Sequence, residues 1–153
     1  MADIDLKQLK KLREETLASI SDCRVALDNA NGDYKKALEW IKKNSLTKAD
    51  KKADRETMQG VIEPYVHNGG KIGALVEVLC ETDFVARTDE FKKLSHELSM
   101  QVASMNPEDV KALLKQDYIR DPSMTIEELI KSVIGKLGEN IQVKRFTRME
   151  IGK

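Results

Sequence analysis

Asn68-Gly69-Gly70 separates two β-rich runs, Val61 to His67 and Lys71 to Cys80, and no other stretch constrains the fold as strongly. A short Asn/Gly link supplies the positive φ that a tight hairpin needs, so the two runs should pair antiparallel. Ile72, Ala74, Val76 and Val78 alternate with Gly73, Leu75, Glu77 and Leu79. With apolar residues dominating both sets, the second strand is expected to be covered on both faces. Pro64 has no N–H to give a ladder, which assigns the first strand to an edge or a bulge.

Upstream of the hairpin the period changes from two to about 3.6. Leu6, Leu9 and Leu12 recur at one helical turn, and Ser19 to Asp22 offers N-caps. Cys23, Ala26, Leu27 and Ala30 form a second stripe. Asn31-Gly32-Asp33 stops that helix and starts a third, which carries Tyr34, Ala37, Leu38 and Ile41. Residues 1–45 therefore read as a three-helix module, small enough to be marginal by itself. The lysine-rich stretch 46–57 reads as a linker with room for partial helix, a solvated connector rather than a phosphate-binding patch.

A second domain, 58–153, begins near Met58. After the hairpin, Phe91, Leu94, Leu98, Val102 and Met105 mark the inward face of a helix that ends at Asn106-Pro107. A weaker helix follows over Val110 to Gln116, then a break at Asp121-Pro122. Thr125 with Glu128 forms a capping box ahead of Ile126, Leu129, Ile130, Val133, Ile134 and Leu137, and Gly138 terminates that helix. Ile141 to Ile151 reads as a last strand whose alternation slips between Val143 and Phe146, as a bulge produces. The order ββ-ααα-β gives an α+β domain with a three-stranded antiparallel sheet packed by helices.

Composition narrows the function classes. Twenty-six basic residues cancel 26 acidic ones, which gives no global support for nucleic-acid binding. Met1 to Leu12 is charged and lacks an apolar leader core. No stretch approaches about 18 uninterrupted apolar residues, so neither a spanning helix nor a membrane partner is expected. Cys23 and Cys80 have no pairing or ligand spacing and read as reduced, buried thiols of a cytoplasmic protein.

Catalytic constellations are missing. His67 and His96 are the only histidines, and neither has a partner at a diagnostic spacing. Asn68-Gly69-Gly70-Lys71 lacks the frame of a phosphate loop. No carboxylate cluster suggests a metal, and no cofactor is called for. One stretch stands apart, Cys80-Glu81-Thr82-Asp83-Phe84-Val85-Ala86-Arg87, which should be an exposed connecting loop. Phe84 has two readings there: a lid folded back on the sheet, or an anchor for a partner's groove. From the residues alone the lid is favoured.

Glu77 to Arg87, EVLCETDFVAR, resembles the signature of the elongation factor Ts family, and YVHNGGKIGALVEV before it continues the likeness. Lys136-Leu137-Gly138-Glu139-Asn140-Ile141 is similar to a second family segment. Leu12-Arg13-Glu14 with Thr16, Asp22-Cys23, and Gly32-Asp33 with Ala37 look like the family's ubiquitin-associated-type module. The resemblance spans nearly the whole chain and reverses the preference on Phe84.

It implies a non-enzymatic guanine-nucleotide exchange factor for elongation factor Tu in translation elongation. Thr82, Asp83, Phe84 and Val85 match the contact that disturbs the GTPase's magnesium site, with Phe84 as the wedge. Leu137 and Gly138 match a second contact with the nucleotide domain, and Leu12 and Ile20 match the contact made by the N-terminal module. Leu17 and Ser19 stand where the family usually has glycines, Ile20-Ser21 replaces a methionine pair, and Leu137 replaces isoleucine, a volume-conserving change. Pro64 is also unexpected. The chain resembles the short form, in which two chains associate, so a homodimer and a two-plus-two complex are expected, with the final strand (Phe146, Met149, Ile151) at the contact. The contrary readings are a general protein-binding adaptor acting through residues 1–45, with Phe84 irrelevant, and an enzyme of unknown type.

Overall fold

A computed structural model describes residues 5–153, apart from the side chain of Asn68. Residues 1–4, part of the stretch read for a leader, lie outside the described residues.

Residues 5–50 form three helices, α1 (Leu6–Thr16), α2 (Ile20–Asn29) and α3 (Tyr34–Asp50). Each opens on a side chain that accepts from the free N–H groups of the first turn: Asp5, Ser19 and Asp33. Leu17 ends α1 at φ 54°, a left-handed conformation unusual for a residue other than glycine. Leu9, Leu12, Cys23, Ala26, Leu27, Ala30, Ala37 and Ile41 pack into a small core of their own. The several alanines let the helices approach closely.

The stretch read as a lysine-rich linker is helical through Asp50, because α3 continues past residue 46. Tertiary contacts explain the continuation. Ala49 is buried in the second core, and Lys131 Nζ lies 2.9 Å from Asp50.

The second unit holds a three-stranded antiparallel sheet in the order β1-β2-β5, from β1 (Gln59–His67), β2 (Ile72–Cys80) and β5 (Ile141–Glu150). Gly69 and Gly70 take φ 74° and 84° in the hairpin turn, which is why glycine stands there. Pro64 lies on β1, an edge strand, as its missing N–H demands. The β2–β5 register slips between Glu77 and Val78, opposite Arg145 and Val143, where the broken alternation predicts a bulge.

One sheet face is buried. Ala74, Val76, Val78 and Cys80 of β2 pack against Phe91, Leu94, Leu98 and Val102 of α5 (Asp89–Met105) and Ile126, Ile130, Val133 and Ile134 of α7 (Ile126–Leu137). The other face is open, contrary to the expectation that β2 is covered twice: Ile62, Val66, Leu75 and Met149 are exposed. Met105 is also exposed rather than inward, and Phe146 of β5 packs on the core rather than on the open face.

Three further elements were not foreseen. The segment after Glu81 is a one-turn helix, α4 (Asp83–Ala86), rather than a loop. Beyond α6 (Val110–Lys115), β3 (Asp117–Tyr118) and β4 (Asp121–Thr125) make a small hairpin. Side chains of α5 hold it: Glu97 accepts from Tyr118 Oη and Arg120 Nε, both at 2.7 Å. Gln101 donates to the Asp117 carbonyl at 3.1 Å and accepts from the Ile119 N–H at 3.1 Å. The hairpin is thus made by partners more than a dozen residues away, not by local strand propensity.

Candidate partner-binding surface

Helix α4 follows directly from its sequence. Thr82 caps it, accepting from the Val85 N–H at 3.4 Å. At about 100° per residue, a single turn sends neighbouring side chains to different sides. Val85 and Ala86 go into the core, and Phe84 goes out, 77% exposed. Asp83 pairs with Arg87 at 2.9 Å across the same turn. The aromatic is therefore not a lid on the sheet. Leaving such a ring in water forfeits about 1.5–3 kcal/mol of burial.

The turn carrying Phe84 is anchored to the far end of the sequence. The Thr82 N–H donates to Glu139 Oε1 at 2.9 Å, and its hydroxyl donates to Glu139 Oε2 at 2.7 Å. Glu81 accepts from the Asn140 N–H at 2.7 Å and lies 3.5 Å from Arg55. The buried Asn140 amide donates to the carbonyls of Ala53 and Arg55 at 3.3 and 2.8 Å. Carboxylate hydrogen bonds are among the stronger ones available, and three chain segments, 53–55, 81–82 and 139–140, meet in this network.

The network joins two of the expected contacts. Gly138 is exposed at φ 78° and turns the chain out of α7, and Leu137 is half-buried before it. Glu139, next in sequence, then reaches Thr82. Sequence reasoning missed Glu81, Glu139 and Asn140 as positioning residues, although Gly138-Glu139-Asn140 lies in a segment whose likeness to the family is visible.

The N-terminal contact needs correction. Leu12 is 0% exposed, enclosed in the module's core, and cannot touch a partner in this conformation. Its place in the α1 stripe, between Leu9 and the α2 residues Cys23 and Leu27, makes it a packing residue. Ile20 at the start of α2 is 49% exposed, and Leu17 and Val25 are exposed as well.

Little else offers chemistry. Burial pushes the Cys80 thiol up to about 11, with the Glu139 carboxylate adding to the shift. Burial likewise raises Cys23. Both cysteines are free, buried and neutral, and so poor nucleophiles. His67 Nδ1 lies 3.0 Å from the Tyr65 hydroxyl, and His96 Nδ1 lies 3.5 Å from Glu63. Among the described residues, no group of three or more His, Cys, Asp or Glu side chains is placed to hold a metal. No helix among them is long and apolar enough to cross a membrane.

Comparison with known proteins gives concordant matches. A family profile described as "Elongation factor TS" matches residues 81–153. An elongation factor Ts of Rippkaea orientalis is 41% identical over 199 aligned positions, covering 100% of this chain and 80% of the relative. One from Fervidobacterium nodosum is 41% identical, covering 99% of this chain and 100% of the relative. A chloroplastic elongation factor Ts of Rhodomonas salina is 39% identical, covering 99% of this chain and 90% of the relative.

Proposed function

The chain belongs to the elongation factor Ts family of translation elongation factors, and on that premise we propose that it promotes GDP release from elongation factor Tu by inserting Phe84 beside the magnesium and nucleotide site. The observation that carries the reading is Phe84 itself, an exposed aromatic on a turn held by Glu139.

The mechanism is non-covalent. A ring wedged between elements of the GTPase shifts the groups that hold Mg²⁺ and phosphate, so the bound states with factor and with GDP oppose each other. Linkage makes the effect reciprocal, and a coupling of about 3 kcal/mol already weakens GDP roughly 150-fold. GTP then displaces the factor. Asp83, beside the ring, and Val85, buried beneath it, orient the wedge. Leu137 and Gly138 make the second core contact, and Ile20 makes the contact from the module 1–45. No residue performs bond chemistry, and no nucleic acid, membrane or cofactor takes part.

The open sheet face supports a homodimer. Register places Val66, Gly73 and Met149 in one row, and Pro64, Leu75 and Thr147 in the next. A third row holds Ile62, Glu77 and Arg145, the last two paired at 2.6 Å. Exposed apolar rows of this kind are covered in a stable assembly, and a second copy across a two-fold axis would meet the same surface. The complex is then two factors with two GTPases, in the cytoplasm, where translation runs.

Release of labelled GDP from purified elongation factor Tu tests the exchange reading. Catalytic amounts of the protein should accelerate it, and Phe84→Ala should lose most of the acceleration. An alanine variant as active as the wild type would sink the site assignment. Binding confined to residues 1–45, with Phe84 irrelevant, would favour an adaptor instead.

A further inference from the structure

The two units have separate apolar cores, and the packing of α3 along α7 joins them. Of the buried α3 side chains, Ala37 and Ile41 belong to the module's core and Ala49 to the other. Two open grooves of about 310 and 300 Å³ run along the seam between α3 and α7. Leu38, Lys42 and Met124 are among the residues lining the first groove. The helices cross tightly at Ser45 and Gly135, where a Cβ on Gly135 would lie 2.6 Å from Ser45 Cβ, 2.8 Å from its Oγ and 3.1 Å from its Cα.

Gly135 is not required by the backbone. It lies inside α7 and is absent from the glycines of positive φ. Glycine inside a helix is otherwise unfavourable, so space explains its presence. Lys131, one turn earlier, reinforces the crossing, with Asp50 of α3 at 2.9 Å and Glu127 at 3.1 Å. Two residues beyond Gly135, α7 ends at Leu137, and Glu139 then clamps Thr82. Any tilt of α7 against α3 therefore moves the helical module relative to Phe84.

We propose that Gly135 and Ser45 are positioning residues, whose close crossing holds the N-terminal module at one fixed offset from the Phe84 turn. Ile20 and Phe84 are then presented to the GTPase as parts of a single rigid surface, a consequence that rests on the exchange-factor reading. Without the crossing, the module is a tethered piece that must be ordered again at each encounter.

Gly135→Ala, Ser45→Gly and the double variant, made in the full chain, test this by two readouts. Trypsin cleavage within residues 51–57 reports how firmly the module is held. Kinetics of GDP release with varied elongation factor Tu report presentation. Where room exists, alanine for glycine in a helix raises Tm and leaves partners alone. Here Gly135→Ala should instead speed cleavage and raise KM about fivefold, with kcat within about twofold of wild type. Ser45→Gly in the Gly135→Ala background removes the Cβ and Oγ that collide, and should return both readouts toward wild type. Wild-type cleavage and KM in Gly135→Ala overturn the proposal, as does failure of the double variant to recover. If wild-type protein releases no GDP, the exchange reading falls, and the trypsin rates alone still decide whether the crossing holds the module.

Discussion

Glu139→Ala isolates the clamp from the wedge. The substitution removes the acceptor of two hydrogen bonds, from the Thr82 N–H at 2.9 Å and the Thr82 hydroxyl at 2.7 Å. Bonds to a charged acceptor contribute about 1.5–3 kcal/mol each when shielded. Thr82 and Glu139 are both only half-buried, so water replaces part of what is lost. About half of the summed contribution, or about 1.5–3 kcal/mol for the pair, is the expected destabilisation. For a chain of this size, each kcal/mol lowers Tm by roughly 2–4 °C, which puts the shift at about 3–12 °C.

The functional consequence is separable from stability. A four-residue helix has no stability of its own, so without Glu139 the α4 turn samples other conformations at temperatures where the core is intact. Ordering it again on binding costs about 0.5–1.5 kcal/mol per side chain, a two- to tenfold loss in kcat/KM for GDP release. Glu139→Gln keeps one carbonyl acceptor and should fall between wild type and alanine. Thermal unfolding, amide exchange at Thr82 and Val85, and the GDP-release assay are the measurements. An alanine variant with unchanged Tm and unchanged amide protection refutes the idea that Glu139 holds the turn.

Phe84→Ala should leave Tm within about 2 °C of wild type, because an exposed ring contributes little to folding; a large loss of Tm would mean the ring packs on its own chain. Leu75→Glu, in the middle of the open sheet face, should give a monomer by light scattering with an unaltered fold, since a two-fold contact would bring like charges together. Self-association surviving that change would move the dimer contact elsewhere. Asp22 gives a pH test. Burial raises its pKa, but hydrogen bonds from Lys48, at 2.7 Å, and Ser19 outweigh this and hold it below the ordinary value. A carboxyl depressed in the folded state adds stability above its unfolded pKa of about 3.9, and that stability fades as pH falls through the folded value. Asp22→Asn should therefore be less stable than wild type near neutrality, with the gap closing in acid unfolding below about pH 4. A gap that persists at pH 2 would point to packing instead.

Local chemistry explains why most elements could be read directly. Asp5, Ser19, Asp33 and Thr125 all cap helices at their N-termini, and Gly138 ends one. The Gly69-Gly70 turn, the edge position of Pro64 and the slip opposite Val143 follow from rules acting over a few residues. The β3–β4 hairpin was invisible because Glu97 and Gln101, on a distant helix, supply its partners. How far α3 runs past residue 46 was not readable for the same reason, since Ala49 and Asp50 take their partners from the second unit.

At the candidate site the division is sharper. The sequence alone singled out the stretch after β2 and the aromatic in it, but it read as a loop there what folds as a Thr82-capped turn. It also singled out the Leu137-Gly138 segment. Which way Phe84 points, whether Leu12 is surface or core, and how Glu139 joins one segment to the other were decided only by the tertiary structure. Leu12 is enclosed by side chains of a second helix, Glu139 reaches Thr82 across 57 residues, and no periodicity in the chain records where such neighbours lie.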